Sequence, residues 1–574
     1  MTKFLKLISV LFVVTLISCT ETETADLIVH NAKIYTVNNA FDIAEAMVIK
    51  DGKIIAIGPE HEIRNKYNAK EIIDARKRPI YPGFIDSHCH FINYALSKNR
   101  VDLIGTTSFE EVLSKLEKAS KENENTWIFG SGWDQNDWTI KEFPTRAKLD
   151  SLFPNNPVVL TRIDGHAQLV NGEVLRRSNI NYQSKIKGGA ILQYNLDDQN
   201  NNNLNISKIK EGQQKNNSNI LPLTGLLIDK AMNLVSYETT PKMTDTKLSK
   251  LLIEAQNDLF GVGLTTIDEA GLDKDAINLI DSLHLNKLLK VKMYIMASSE
   301  EETINYFLKS GPYKTELLNV CSFKFIADGA LGSRGACLIE PYSDVLNQHH
   351  GLMLHDKEYF EKYAPLIVEK GFQMNTHCIG DSANRMILDV YAKTLKGVND
   401  KRWRIEHAQI IHSEDFKYFK KYTIIPSIQS THATSDMYWS EERLGPHRIK
   451  GAYAYKKLLK QNGIIALGTD FPVEGINPIN TFYSAVVRKD KEGFPTKGYQ
   501  MENALTRKEA LKGMTIWAAL SNFEENEKGS LEVGKAADFV MLNDDIITTN
   551  QENILKVKVL QTFINGENVF SLKK

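Results

Sequence analysis

The stretch Pro82-Gly83-Phe84-Ile85-Asp86-Ser87-His88-Cys89-His90 decides how the rest of the chain is read. Residues 80–85 form an apolar, strand-like run, and in an extended strand residues i and i+2 face the same side. His88 and His90 can therefore converge at a strand end, where two imidazoles can share one metal ion. A His-x-His pair alone is weak evidence. Behind an apolar strand that closes in Gly-Phe-Ile-Asp it directs attention to ligands after later strands.

Seven further strand-like runs follow, at residues 158–162, 264–267, 323–326, 372–375, 403–405, 424–427 and 464–467. With the first they make eight, the number that closes a (β/α)₈ barrel. Helical patterns separate several of them. Residues 357–370 follow Asp356 as an N-cap and stop at Gly371, and residues 383–395 place Met386, Ile387, Val390 and Tyr391 on one face. Residues 450–461 stop at Asn462-Gly463, and Thr506 with Glu509 has capping-box spacing. The alternation predicts an α/β fold, a TIM-like barrel. A long insertion, about 93–244, separates the first predicted strand from the third and contains the second. Its polar stretches, Asp197-Asp198-Gln199 and residues 213–219, bury little and are expected to be exposed.

Both chain ends read as β-structure. Asp51-Gly52 lies between the runs 46–49 and 53–58, and Asn565-Gly566 lies between 559–564 and 568–570. Both dipeptides are hairpin signals. Neither end holds enough sheet alone, so residues 26–79 and 526–574 are expected to combine as one small β-sandwich domain. The barrel then spans 80–525.

Composition narrows the function classes. The chain has 574 residues, with 70 basic and 71 acidic side chains and a net charge of −1. That balance argues against a nucleic-acid partner. A hydrophobic fraction of 42% and a charged fraction of 25% are those of a globular protein. Five cysteines in this length exclude a disulfide scaffold.

Lys3 and Lys6 precede an apolar run at 7–17. It is shorter than the roughly 20 residues a membrane span needs, and reads as a secretory signal. Leu16-Ile17-Ser18-Cys19 resembles a bacterial lipobox. That resemblance implies a signal peptide at 1–18, lipidation of Cys19, a tether at 19–25, and an exported protein held to a bacterial membrane by lipid alone. The alternative is an ordinary cleaved signal with an incidental cysteine. Cys89, Cys321, Cys337 and Cys378 read as buried small apolar residues.

The remaining candidates end later strands. Lys324 sits in Phe323-Lys324-Phe325-Ile326, where a charged amine is expensive to bury. His377 ends Met374-Asn375-Thr376-His377, His407 ends Trp403-Arg404-Ile405-Glu406-His407, and Asp470 ends Ala466-Leu467-Gly468-Thr469-Asp470. Each alone is better explained structurally. Four of them behind a His-x-His fit a barrel, whose active sites lie at the C-terminal ends of its strands.

With the motifs Gly132-Trp133-Asp134, Asp164-Gly165-His166, Asp328-Gly329-Ala330-Leu331-Gly332-Ser333-Arg334, His377-Cys378-Ile379-Gly380-Asp381 and Gly534-Lys535-Ala536-Ala537-Asp538, the sequence resembles the amidohydrolase superfamily. It is most similar to the third amidohydrolase family, which includes N-substituted formamide deformylase-like enzymes. The resemblance implies a centre of one or two divalent metal ions, best suited to Zn²⁺. His88, His90 and Asp470 would hold one ion and His377 and His407 a second, with Lys324 bridging them as a carbamate formed from CO₂. It implies hydrolysis of a non-peptide carbon–nitrogen bond, an amide, in a small molecule by a metal-bound hydroxide, with Asp470 moving the proton. His432 is expected at the oxyanion. Trp133, Asp134, His166, Asp328 and Arg334 are expected at the substrate, although Asp328 also reads as a loop-ordering residue. Tyr438 and Trp439 are candidates for an apolar wall. Homodimers are common in the superfamily. The competing readings are the same centre acting on a cyclic amide, carbamate or ester, and a metal-free binding protein on the same scaffold.

Overall fold

A computed structural model describes residues 23–120, 126–194, 223–240, 243–345 and 348–573. The expected signal segment, Cys19 and the polar stretches at 197–199 and 213–219 lie outside them. Among the described residues no helix is long and apolar enough to cross a membrane.

Eight parallel strands line up in one sheet in the order of the chain. They are Phe84–Cys89, Leu264–Leu272, Lys292–Ser298, Leu318–Ile326, Gln373–Cys378, Arg404–His407, Ile425–Gln429 and Ala466–Gly468. The sheet curls into a TIM-like barrel whose last strand returns to the first. The Asp470 amide donates to the His88 carbonyl (2.7 Å) and the His90 amide to the Phe471 carbonyl (2.8 Å). This seam needs a glycine: a Cβ on Gly468 would lie 2.6 Å from the His88 nitrogen. Helices such as Lys357–Glu369, capped by Asp356, and Asp381–Leu395 pack on the outside. Arg507–Gly513 opens with the capping box of Thr506 and Glu509.

Two predicted details are corrected. Val158–Arg162 is a strand but not a barrel strand. It lies at the centre of a separate six-stranded sheet, between Ile128–Trp133 and Ala167–Val170. The barrel strand missing from the prediction is Lys292–Ser298, Lys-Met-Tyr-Ile-Met-Ala-Ser, whose Lys and Ala are weak strand formers. A short buried apolar run shows that a strand exists but not which sheet it joins. The insertion therefore leaves after the first barrel strand and returns before the second. It has its own core, built on Trp133, Trp138, Leu160, Leu169 and Leu226.

The chain ends combine as expected. A four-stranded sheet of N-terminal strands faces a six-stranded sheet to which both ends contribute, and Val29, Ile34, Met47, Ile80, Phe539 and Phe563 share the core between them. Both expected hairpins are present, at Ala46–Lys50 with Lys53–Gly58 and at Val559–Ile564 with Glu567–Ser571. The tether expected at 19–25 overlaps a strand, since Glu23–His30 pairs in parallel with Tyr67–Asp74 from its first residue, and residues 19–22 lie outside the described residues. The run predicted as one strand at 80–85 divides at Gly83. Pro79–Pro82 joins the sandwich and Phe84–Cys89 starts the barrel.

One buried ion pair pins the two bodies together. Lys292 Nζ, on the third barrel strand, donates to both Asp538 oxygens (2.9 and 2.6 Å) and to Asn565 Oδ1 (2.7 Å) in the sandwich. Lys292 and Asp538 are 2% and 4% exposed, so removing one partner strands a charge. Lys292→Met is expected to cost about 3–5 kcal/mol, seen as a lower thermal midpoint, and Lys292→Met/Asp538→Leu to recover most of the loss.

Candidate metal centre

The first barrel strand delivers His88 and His90, and the turn after the last delivers Asp470. Ligand atoms of these three side chains lie within 4.8 Å of one another. His90 Nε2 is 3.1 Å and His88 Nε2 3.6 Å from Asp470 Oδ1, a buried oxygen with no hydrogen bond. Lys324, on the fourth strand, points its amine at the same place, 2.9 Å from His88 Nε2. Burial lowers its pKa to about 8 against the opposing pull of Glu406 and Asp470, so neutral amine is accessible near neutral pH.

His377 and His407 lie at the C-terminal ends of the fifth and sixth strands. Their ring centroids are 4.5 Å apart, and that of His407 is 4.8 Å from that of His88. His407 Nδ1 is tied to Gln429 Oε1 at 2.7 Å, which leaves Nε2 as its lone-pair nitrogen. His377 Nε2 is buried without a hydrogen bond. Burial also pushes both imidazoles well below the usual histidine range, so they are neutral, as metal ligands must be. His407 (φ 70°) and Asp470 (φ 62°) both adopt left-handed backbone, which costs an L-residue about 1–2 kcal/mol. Unpartnered nitrogen and oxygen donors, neutral imidazoles and strained ligand positions fit a divalent cation.

Behind these groups lies a buried ionic lattice. Glu406 Oε2 holds His88 Nδ1, which turns Nε2 toward the cluster. Arg404 holds Glu406 (2.6 Å), Asp268 (3.0 Å) and the Ser87 carbonyl (2.7 Å). Burial opposes ionisation of Glu406, but Arg404 and His88 keep its carboxyl well below the usual carboxylate range. His88 itself falls to about 4, chiefly through burial. Neither Arg404 nor Glu406 was singled out from the sequence. The signal available was their spacing: alternate residues of a strand share a face.

The centre opens on a cavity of about 240 Å³ between the barrel mouth and the insertion. His377, His407, His432 and Asp470 line its barrel side, and Asp134, Arg162, Asp164 and His166 its insertion side. His166 Nδ1 bonds Asp229 Oδ1 at 2.7 Å, and its ring lies 5.2 Å from that of His377. Asp229 raises His166 to about 9 despite burial. The Asp229 carboxylate is cradled by Gly335, where a Cβ would come within 2.7 Å of it. Arg162, also unpredicted, is enclosed and bonds Asp134, Asp164 and Gln135.

Several predicted substrate residues are corrected. Trp133 is 1% exposed, donates to the Leu160 carbonyl (3.0 Å) and packs on Trp138 and Phe143, so it is core of the insertion. Asp328 is fully buried and accepts the amides of Cys337, Ile379 and Gly380 (2.8–3.0 Å), which is the loop-ordering alternative. Arg334 pairs with Asp344 (2.7 Å) and does not line the cavity. Asp134 and His166 do line it, as does Trp439, whereas Tyr438 is 50% exposed outside it. The four described cysteines are free, and Cys321 and Cys337 are only partly buried.

The amidohydrolase family profile matches residues 71–570. The chain belongs to the amidohydrolase family. This amidohydrolase is 29% identical to the putative amidohydrolase YtcJ of Bacillus subtilis, over 94% of this chain and 98% of that one. It is also 29% identical to LONG AFTER FAR-RED 3 of Arabidopsis thaliana, over 95% and 92%. N-substituted formamide deformylase of Arthrobacter pascens is 23% identical over 95% and 98%. A metal-dependent hydrolase from Pyrococcus horikoshii superposes with a TM-score of 0.70 at 25% identity, over 92% of this chain and 99% of that one. The protein is a metal-dependent hydrolase of this family, with His88, His90 and Asp470 placed to hold a divalent metal.

Glu406→Gln keeps the size of the side chain but removes the charge that orients His88. It is expected to weaken metal retention about 10–100-fold, measured as metal content after dialysis against graded chelator. Unchanged retention would remove Glu406 from the support of the site.

Proposed function

We propose that this amidohydrolase hydrolyses a non-peptide amide bond in a small molecule. The observation that carries the reading is the convergence of His88, His90, Asp470 and a buried, readily deprotonated Lys324 at the end of a cavity. The relative named a formamide deformylase, alignable over nearly the whole chain, supports the carbon–nitrogen bond as the target. Imidazole and carboxylate donors suit Zn²⁺. Lys324 would carry the CO₂-derived carbamate, an anionic oxygen donor that would hold a divalent cation together with His88, His90, His377 and His407.

A divalent cation held here supplies Lewis acidity, polarising a carbonyl and acidifying water. The chain supplies the rest. Asp470 would accept a proton from the attacking water through the carboxylate oxygen it does not turn to the cation, and return it to the departing nitrogen. His432 Nε2, buried without a partner at the cavity wall, donates to the oxygen on which negative charge develops. The insertion closes the cavity from above and limits water. We further propose that lipid on Cys19 holds the exported enzyme to a bacterial membrane, on its periplasmic or cell-surface side.

Asp470→Asn should lower kcat at least 1,000-fold, on the order of a lost acid–base group, while most of the metal stays bound. Activity near wild type would remove its proton-transfer role. Chelation should abolish turnover, and Zn²⁺ with bicarbonate should restore it more fully than Zn²⁺ alone. With ¹³C-bicarbonate a carbamate resonance is expected that is absent in Lys324→Ala, and its absence from active wild-type enzyme would exclude the carbamate. Labelled fatty acid is expected to enter the wild-type chain and not Cys19→Ser.

A further inference from the structure

The outer part of the cavity carries a charge imbalance that the metal ligands do not explain. Leaving Asp470 aside as a ligand, five carboxylates line it, from Asp134, Asp137, Asp164, Asp436 and Glu474, against the guanidinium of Arg162, the His166 imidazole that Asp229 already holds, and no lysine. Arg162 is already spent on Asp134 and Asp164. Asp137, Asp436 and Glu474 have no Lys or Arg within 4.0 Å among the described residues. Neutral donors hold two of them in place. Asp436 Oδ2 accepts from Tyr453 (2.8 Å) and Gln409 (3.3 Å), and Glu474 Oε1 accepts from Ser435 (2.7 Å). These bonds fix the oxygens without cancelling their charge. Asp137 stands at the exposed rim, so the acids run from the mouth inward.

The acids adjoin the place where the amide reacts. His432, assigned above to the developing oxyanion, lines this cavity with an Nε2 that has no hydrogen bond, and Glu474 Oε1 lies 4.0 Å from it. Burial raises Asp436 to about 7, the behaviour of a carboxylate short of a counter-charge, and the neighbouring Glu474 and Asp134 add to the effect. A bound cation would favour its ionised form.

We propose that the substrate of this site is an amide bearing a second, cationic nitrogen, an ammonium or guanidinium group, which Asp436, Glu474 and Asp137 bind while the amide reaches the metal ligands. This rests on the amide-hydrolysis reading and narrows its substrate class. The acids would draw the cation from the rim inward, and the low-dielectric walls would strengthen the attraction. A neutral analogue would leave the carboxylates facing apolar surface, and an anionic one would meet like charge.

The test uses the metal-loaded full chain and three matched probes: N-(5-aminopentyl)acetamide, neutral N-hexylacetamide and anionic 6-acetamidohexanoate. The cationic amide is expected to exceed the neutral one at least tenfold in kcat/KM, mainly through KM, and the anionic one to be the poorest. Asp436→Asn, and separately the rim variant Asp137→Asn, should each narrow the cationic-to-neutral ratio at least threefold, as should raising the salt. Equal or reversed preference, or variants that lower all three substrates in parallel, would overturn the proposal. If none of the three is cleaved, calorimetric binding of the same probes decides. Selective cation binding then supports the acidic subsite while the absence of hydrolysis counts against the amide reading, and binding without charge preference overturns the subsite.

Discussion

The centre depends on how the barrel pays for buried charge. Arg404 is wholly enclosed, and so are Asp268 and Glu406, the two carboxylates it satisfies. Isolated, any of the three would be expensive; together they exchange bulk water for charge-assisted hydrogen bonds. Their arrangement has a chemical consequence. Arg404 keeps Glu406 ionised, Glu406 fixes the His88 tautomer, and His88 then presents its lone pair to the cluster. Ionic chemistry at the barrel mouth is thus prepared in the layer beneath it.

The barrel alone does not make a substrate site. It brings together imidazoles, a lysine and an aspartate at the strand ends, but the opposite wall of the cavity belongs to the insertion. That insertion has an independent core and touches the centre through a few polar side chains. Asp229 and Arg162 each end one of its strands, His166 sits in the turn after Arg162, and Gly335 of a barrel loop leaves room for the Asp229 carboxylate. The division suits an enzyme family, because substrate-facing residues can change without disturbing the metal ligands.

Much of this was legible beforehand. His88 and His90 were readable because a strand's alternation is strict, and His377, His407 and Asp470 because each closes an apolar run. The two chain ends were readable as partners from their turn chemistry. Val158–Arg162 and Lys292–Ser298 show the limit: one is strongly apolar and joins the wrong sheet, the other is weakly strand-like and joins the right one. Trp133, Asp328 and Arg334 show a second limit. Their motifs are real, but an indole, a carboxylate or a guanidinium can serve a fold or a ligand with equal chemical ease.

Local order in the sequence therefore determined the element types, the barrel class, the pairing of the ends and the donors able to meet a metal, because those follow from periodicity and residue chemistry. Only the tertiary structure decided which strands are neighbours, which polar groups spend themselves on the protein and which are left facing a cavity. Those outcomes turn on distances between residues hundreds of positions apart, and on whether burial finds each charge a partner. No pattern within a short window records either.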